Sequence, residues 1–173
     1  MTVLVAYASK YGSTQEIGEL IGSEIRRQGL ETDVLSVGEV DDVTGYDVLV
    51  LGSAVYMGRW LGSARHFVEE HADELAVRPT WLFSSGPIGE PLRPRDGDAV
   101  QIDEIVAATH AKEHRVFPGK LDRSKLNCCE WALTYALRVR PGDFRNDDAV
   151  SAWARKIAST VERQPSSSPS SRA

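Results

Sequence analysis

A turn rich in hydroxyl groups lies near the N-terminus, between an apolar run and an amphipathic segment. It consists of Ser9, Lys10, Tyr11, Gly12, Ser13, Thr14 and Gln15. The flanking patterns predict a strand before the turn and a helix after it, and the first backbone N–H groups of a helix have no partner within the helix. Hydroxyl donors and a glycine that lets the backbone approach closely favour a phosphate site at this turn. An ordinary turn with Ser13 or Thr14 as the N-cap would explain the same residues.

Two further segments of similar chemistry follow predicted strands. The apolar run 46–51 leads into a polar and aromatic loop, 52–60, and the run 80–83 leads into a hydroxyl-rich loop, 84–89. Aromatic rings in the first of these loops could stack on a flat redox ring or simply pack the loop itself. The candidate binding residues in the two loops are Ser53, Ala54, Val55, Tyr56, Met57, Gly58, Arg59, Trp60, Ser84, Ser85, Gly86, Pro87, Ile88 and Gly89.

Helical and extended patterns alternate along the chain and place these loops. The predicted strands are 3–8, 31–37, 46–51, 80–83 and 114–118, and the predicted helices are 13–28, 61–75, 102–109 and 148–162. This alternation favours an α/β fold with an open parallel sheet and helices on both faces. Such sheets bind ligands outside the carboxyl ends of their strands, so we expect the three loops to converge on a phosphate-bearing cofactor.

Length and composition indicate one domain and no obvious macromolecular partner. The 173 residues can form a single core over 1–163, followed by a Ser/Pro-rich segment, 164–173, that we expect to be disordered. The net charge of −5 does not favour nucleic acid. Adjacent Cys128 and Cys129 cannot staple distant segments, and no apolar run is long enough to span a membrane. We therefore expect a cytoplasmic protein with reduced thiols.

Several familiar sites are not predicted. The first turn has neither the Walker pattern nor the three glycines of a dinucleotide fingerprint. His66 and His71 are five residues apart, and His110 and His114 are expected to straddle a helix end, so we expect solvated histidines and no metal. A single terminal phosphate held by N–H and O–H donors suits the turn better.

The motifs together resemble the flavodoxin-like FMN proteins. The run Tyr-Ala-Ser-Lys-Tyr-Gly-Ser-Thr at 7–14 is similar to their phosphate loop, Ser/Thr-x-x-Gly-x-Thr. Within that family the chain is most similar to the branch that contains menaquinone-dependent protoporphyrinogen dehydrogenases. The positions that carry this resemblance are Ser9, Gly12 and Thr14; Gly52, Ser53, Tyr56 and Gly58; and the added segment 119–145.

The resemblance implies a doubly wound, five-stranded parallel sheet in the order 2-1-3-4-5. It also implies that residues 9–14 hold the FMN phosphate, that 54–60 border the isoalloxazine ring, and that 84–89 contact its pyrimidine side or the ribityl chain. No side chain is predicted to be catalytic, because the flavin itself carries the redox chemistry.

The segment 119–145 is the feature that an ordinary flavodoxin would not predict. Ser124 could cap a helix that runs to Arg138, and residues 112–145 carry eight basic and four acidic side chains, a net charge of +4. Such a segment could contact an anionic membrane surface, steer a propionate-bearing tetrapyrrole, cover the flavin, form a homodimer face, or simply pack on the domain.

Three functions are compatible with these patterns. The first is an FMN-dependent oxidoreductase that resembles quinone-linked protoporphyrinogen dehydrogenase, with a porphyrinogen or quinone as its small-molecule partner. The second is a flavodoxin-type electron carrier, for which the basic segment is unexpected. The third is an interaction module that has lost the flavin, against which the intact turn at 9–14 argues. The electron partner is left open among quinone, nicotinamide and deazaflavin.

Overall fold

The computed structural model describes residues 1–56, 58–86, 102–121, 142–143 and 145–163. Its helices are α1 (Ser13–Arg27), α2 (Gly62–Glu70), α3 (Ala72–Val77), α4 (Asp103–Thr109) and α5 (Asp147–Glu162). Its strands are β1 (Thr2–Ala8), β2 (Glu31–Ser36), β3 (Val48–Tyr56), β4 (Arg59–Trp60), β5 (Thr80–Gly86), β6 (Glu113–Pro118), β7 (Lys120–Leu121) and β8 (Gly142–Asp143).

Five strands form the central parallel sheet in the order β2-β1-β3-β5-β6. Each neighbouring pair is parallel, and the short β4 folds back antiparallel on the end of β3. Numbered among the parallel strands alone, this order is 2-1-3-4-5, so the predicted topology is confirmed. The order reverses between β1 and β3, so the loops after these two strands leave the sheet at neighbouring points.

Each face of the sheet buries its own apolar core. Val5, Val50 and Phe83 point to the face covered by α1 and α5, whereas Leu51 and Leu82 belong to the core under α2, α3 and α4. The apolar stripe of α5 is buried on the first of these faces, at Val150, Trp153, Ala154, Ile157 and Val161. In the described ranges, no helix combines the length and the apolar character needed to cross a membrane.

The structure corrects the predicted extent of two strands. β3 continues to Tyr56 and β5 continues to Gly86, so the predicted loops 52–60 and 84–89 begin as strand. The reason is pairing between the two segments, because Ser53 lies opposite Ser84 and Ala54 opposite Ser85 in the parallel ladder. Small and hydroxylic residues have the composition of a loop, but here the ladder between neighbouring strands satisfies their backbone groups.

Other predicted boundaries are close to the observed ones, with one exception. The predicted helix 61–75 is two helices, α2 and α3, which break at His71. α1 ends as expected, with Gly29 in the left-handed region at φ 89°. The predicted helix from Ser124 to Arg138 and the tail 164–173 lie outside the described residues; β7 and β8, which flank that helix segment, pair antiparallel.

Candidate functional site

The N-terminus of α1 differs from the ordinary capped turn that the sequence also allowed. Gly12 is the N-cap residue, with a left-handed backbone (φ 91°), and no side chain of the described residues caps this helix end. Neither Ser13 nor Thr14 is the N-cap, because both already belong to the helix. Instead the Ser9 hydroxyl accepts a hydrogen bond from the Gly12 N–H at 3.0 Å and closes the turn.

The donor geometry follows from where the helix bonds begin. The Glu16 N–H donates to the Gly12 carbonyl at 2.9 Å, which is the first α-helical bond. The backbone N–H groups of residues 13–15 precede that bond, so the helix provides them with no acceptor. The positive end of the helix dipole lies at the same place, and the two effects together suit a phosphate.

Aromatic contacts join this turn to the loop after β3. The ring centroids of Tyr11 and Tyr56 are 6.4 Å apart. The Lys10 Nζ lies 4.7 Å from the centroid of the Tyr56 ring and 5.3 Å from that of Tyr11, which is within cation–π range. Two of the three predicted binding segments are therefore in contact, and a positive charge lies between them.

A tight hairpin positions Tyr56 and Trp60. Val55 pairs with Trp60 and Tyr56 with Arg59 across β3 and β4, and Gly58 takes the positive φ of 78° that the turn requires. Tyr56 is half-buried, whereas only 2% of Trp60 is exposed. Tyr56 is thus the aromatic side chain that a flat ligand at this edge could reach, and Trp60 packs into the protein.

Trp60 belongs to a hydrogen-bonded chain that crosses three strands. Its Nε1–H donates to the Ser84 Oγ at 2.8 Å, and the same oxygen lies 2.8 Å from the His114 Nε2. Ser84 is fully buried, and His114 on β6 is half-buried. The prediction of a solvated His114 is therefore wrong, because the register of β5 and β6, which no local pattern reveals, puts it within reach of Ser84.

Ser53 and Gly86 of the predicted loops also form hydrogen bonds within the protein. The buried Ser53 hydroxyl accepts from the Leu61 N–H at 3.0 Å and donates to the Ala54 carbonyl at 2.8 Å. The Gly119 N–H donates to the Gly86 carbonyl at 2.8 Å, next to the buried Ser85. These side chains support the edge of the sheet; direct contact between them and a ligand stays a prediction. Met57 and residues 87–89 lie outside the described residues.

An ion pair between distant segments balances charge in the first turn of α1. Glu16, an acidic residue in the first turn of α1, pairs with Arg145, which lies just before α5. The pair neutralises a carboxylate that would otherwise repel an anion at the helix end. In the part of the chain that the structure describes, no three His, Cys, Asp or Glu side chains group in a way that could hold a metal.

Burial at His114 predicts a pH dependence of stability. Removal from water lowers the pKa of His114 below its ordinary value. The unfolded chain then binds this proton at a higher pH than the folded chain does. The free energy of unfolding should therefore decrease as the pH falls below about 6.5, and this contribution is constant above that pH.

The variant His114→Gln, which does not titrate in this range, should lose that part of the pH dependence. We expect the slope between pH 7 and pH 5 to become shallower, by at most about 1.4 kcal/mol per pH unit. Urea denaturation of both proteins across this range measures the difference. Identical slopes would show that His114 has the same pKa in the folded and unfolded chains.

Comparisons with known proteins agree with this geometry. A family model described as Flavodoxin domain matches residues 4–133. Protoporphyrinogen IX dehydrogenase (quinone) of Escherichia coli strain K12 is 28% identical over 86 residues, which cover 49% of this chain and 48% of that enzyme. The match therefore spans about half the length of this curated relative.

Solved structures show the same fold over nearly the whole chain. A flavodoxin from the domain Archaea has a TM-score of 0.64 and 17% identity, with 94% of this chain and 99% of that chain covered. Oxidised flavodoxin 1 from Bacillus cereus has a TM-score of 0.61 and 17% identity, with 95% and 99% covered. Since the family model extends over well more than half of the sequence, the chain belongs to the flavodoxin domain family.

Proposed function

We propose that this chain binds FMN and is an oxidoreductase of the quinone-linked protoporphyrinogen dehydrogenase type. The observation that carries the proposal is the α1 N-terminus, which has a left-handed Gly12 and no side-chain cap among the described residues, beside the half-buried Tyr56. Family membership and the dehydrogenase relative support the same assignment.

The donor set at α1 fits the terminal phosphate of FMN. Backbone N–H groups at a helix end, together with the hydroxyls of Ser9, Ser13 and Thr14, bind a phosphate without a cluster of basic side chains. The Ser9 hydroxyl uses an oxygen lone pair to hold Gly12, so its own hydrogen can still be donated. Lys10 adds a positive charge at the border of the site.

The hairpin of β3 and β4 would border the flavin ring. Bound FMN would supply the redox chemistry by accepting and passing on electrons. The chain would then bind, orient and shield the ring, with Tyr56 alongside it and Trp60 fixed behind by Ser84. No acid, base or nucleophile of the protein is needed for this role.

The choice of substrate rests on the relative and on the basic segment. The residues that could face a porphyrinogen, a quinone or a membrane surface lie mostly within 119–145, of which the structure describes only 119–121, 142–143 and 145. The second candidate is a flavodoxin-type electron carrier, which the structural neighbours favour.

Two measurements in sequence test the proposal. The purified protein should be yellow, or should bind added FMN with quenching of flavin fluorescence; a colourless protein that does not bind FMN would exclude both candidates. Anaerobic assay of the FMN-loaded protein with protoporphyrinogen and a menaquinone analogue then separates them. Turnover supports the dehydrogenase, and flavin reduction without turnover supports the carrier.

Thr14→Val is a sharper test of the phosphate site. Thr14 is 1% exposed, so valine keeps the shape and burial while it removes one donor. We expect FMN affinity to fall by about 5- to 150-fold, the equivalent of about 1–3 kcal/mol for an unsatisfied phosphate oxygen. Fluorescence titration measures the change.

Thr32→Val provides the matched control. Thr32 on β2 is also buried, but its hydroxyl donates to the Leu30 carbonyl at 3.0 Å. Thr32 pairs with Val3, near the end of the sheet opposite the proposed phosphate site. FMN affinity should be unchanged in this variant. Equal losses in the two variants, or no loss in Thr14→Val, would place the phosphate elsewhere.

A further inference from the structure

We propose that neutral His114 is a positioning residue that holds the β3–β4 hairpin through Ser84 and Trp60, and that protonation of His114 releases this hold. The proposal rests on the chain of two 2.8 Å hydrogen bonds from Trp60 Nε1 to Ser84 Oγ to His114 Nε2. The consequence for a flavin beside the hairpin rests on the proposed function. The two hydrogen bonds themselves are present without any ligand.

The direction of each hydrogen bond follows from the chemistry of the groups. An indole N–H is only a donor, so Ser84 Oγ accepts from Trp60. The Ser84 hydroxyl has one hydrogen to donate, and the group in this series of hydrogen bonds that can accept it is the His114 Nε2. The histidine must then be neutral, with its proton on Nδ1 and a lone pair on Nε2.

Protonation reverses the last of these bonds. A protonated Nε2 donates, so the Ser84 oxygen would face two donors while its own hydrogen loses its acceptor. Ser84 is 0% exposed, and water cannot replace that acceptor without a local opening. The structure relieves the conflict by loosening either the Trp60 bond or the His114 bond.

The Trp60 bond is one of the attachments of a short hairpin, beside the bond from the Leu61 N–H to the Ser53 Oγ. β4 contains only Arg59 and Trp60, and it pairs with β3 through two residues. Trp60 is the buried member of that strand, whereas Arg59 is exposed. A change at the indole is thus transmitted directly to the turn that carries Tyr56.

The pKa of His114 is set by burial and not by a charged neighbour. On its own strand, Glu113 and Arg115 alternate to the opposite face, where Glu113 also pairs with Lys156 of α5. His114 lies on the face that α2, α3 and α4 cover, where α4 and its C-cap carry the exposed Asp103, Glu104 and His110. Burial is the cause that lowers the pKa of His114.

NMR of the 173-residue protein without flavin tests the two hydrogen bonds directly. The indole Nε1–H resonance of Trp60 should shift with pH and should have the same midpoint as the ring of His114. The indole of Trp153, buried in the core on the other face, is the internal control and should not follow that midpoint. A Trp60 resonance that is flat while His114 titrates would overturn the proposal.

His114→Gln separates positioning from packing. The glutamine Oε1 can accept from Ser84 at every pH, so Trp60 should keep its high-pH resonance and lose its titration. Below the midpoint, the Trp60 indole N–H should exchange with solvent about fivefold faster in the wild type than in this variant at the same pH, the fold-change of one net hydrogen bond of about 1 kcal/mol. Equal exchange rates would overturn the proposal.

Titration of both proteins with FMN distinguishes this inference from the proposed function. If FMN binds, its affinity should weaken below the midpoint in the wild type by a similar factor relative to His114→Gln, measured in the same buffers. If FMN does not bind either protein, the proposed function fails, and the resonances of the ligand-free protein still decide whether the chain exists.

Discussion

Replacing Ser13 with glutamate should weaken FMN binding by at least about 100-fold and leave the fold intact. Ser13 is the first residue of α1, directly after Gly12. A carboxylate at this position would occupy or repel the site proposed for the phosphate, and like charges brought together in an interface cost several kcal/mol. A loss of about 3 kcal/mol corresponds to more than 100-fold in affinity.

The same substitution should have the opposite effect on stability. A negative side chain in the first turn of a helix interacts favourably with the helix dipole by about 0.3–1 kcal/mol. Ser13→Glu should therefore melt at the same temperature as the wild type or slightly higher. A protein that is equally or more stable, yet does not bind FMN, would locate the phosphate at this helix end.

Ser63→Glu is the matched control for this prediction. Ser63 lies in the first turn of α2, a second helix whose N-terminus has no side-chain cap within the described ranges, and it is exposed. Thermal stability should respond as in Ser13→Glu, but FMN affinity should not change. Retained FMN affinity in Ser13→Glu would contradict the proposed site, and a loss in both variants would point to a non-specific effect of added negative charge.

Replacing Gly52 with alanine should destabilise the fold by about 1–3 kcal/mol. A Cβ at Gly52 would lie 2.0 Å from the Cζ of Phe83, the residue opposite it in the β3–β5 ladder. Phe83 is fully buried, and its ring centroid lies 6.5 Å from that of Phe117 and 6.4 Å from that of Trp153. The ring has no space to move into without displacing these neighbours.

Gly45→Ala provides the comparison. A Cβ at Gly45 would meet no atom within 4 Å, so this variant should change the free energy of unfolding by less than about 0.5 kcal/mol. Chemical denaturation measures both variants. In a domain of this size, each kcal/mol lost should lower the melting temperature by roughly 2–4 °C.

A second substitution tests the physical cause of the Gly52 effect. If the clash with the ring destabilises Gly52→Ala, then Phe83→Leu should be less harmful in that background than in the wild type. Additive effects of the two substitutions would show that the alanine acts in some other way. Unchanged stability of Gly52→Ala would show that β3 and β5 can separate without cost.

Patterns within short stretches of sequence predicted the helices and strands well where neighbouring residues alone determine them. The amphipathic helix predicted after the turn at 9–15 is observed as α1, which buries Ile17, Ile21 and Ile25, because side-chain periodicity is a property of neighbouring residues. The same holds for the strand-turn-helix unit at residues 2–27. Its sequence left a capped turn and an anion site as equal alternatives, and the geometry of Gly12 favours the second.

The prediction failed where residues distant in sequence decide the outcome. The pattern ended the third predicted strand at Leu51, yet β3 continues to Tyr56, because β1 and β5 flank it and pair with it. Trp60 was expected to lie against a ligand or to pack within its loop. Its indole instead lies inside the protein, hydrogen-bonded to Ser84, which is 24 residues away.

The sequence by itself determined the α/β class and the turn at 9–14, since alternation of apolar residues and hydroxyl-rich turns are local features. The strand order was implied by the resemblance to flavodoxin-like proteins and not by any local pattern. Only the tertiary structure decided which side chains face the edge of the sheet. Gly52 must be glycine because Phe83 crosses its face, and the half-buried His114 bonds Ser84 because strand register puts it within reach. Register is set by packing of the whole sheet, and no short stretch of sequence contains it.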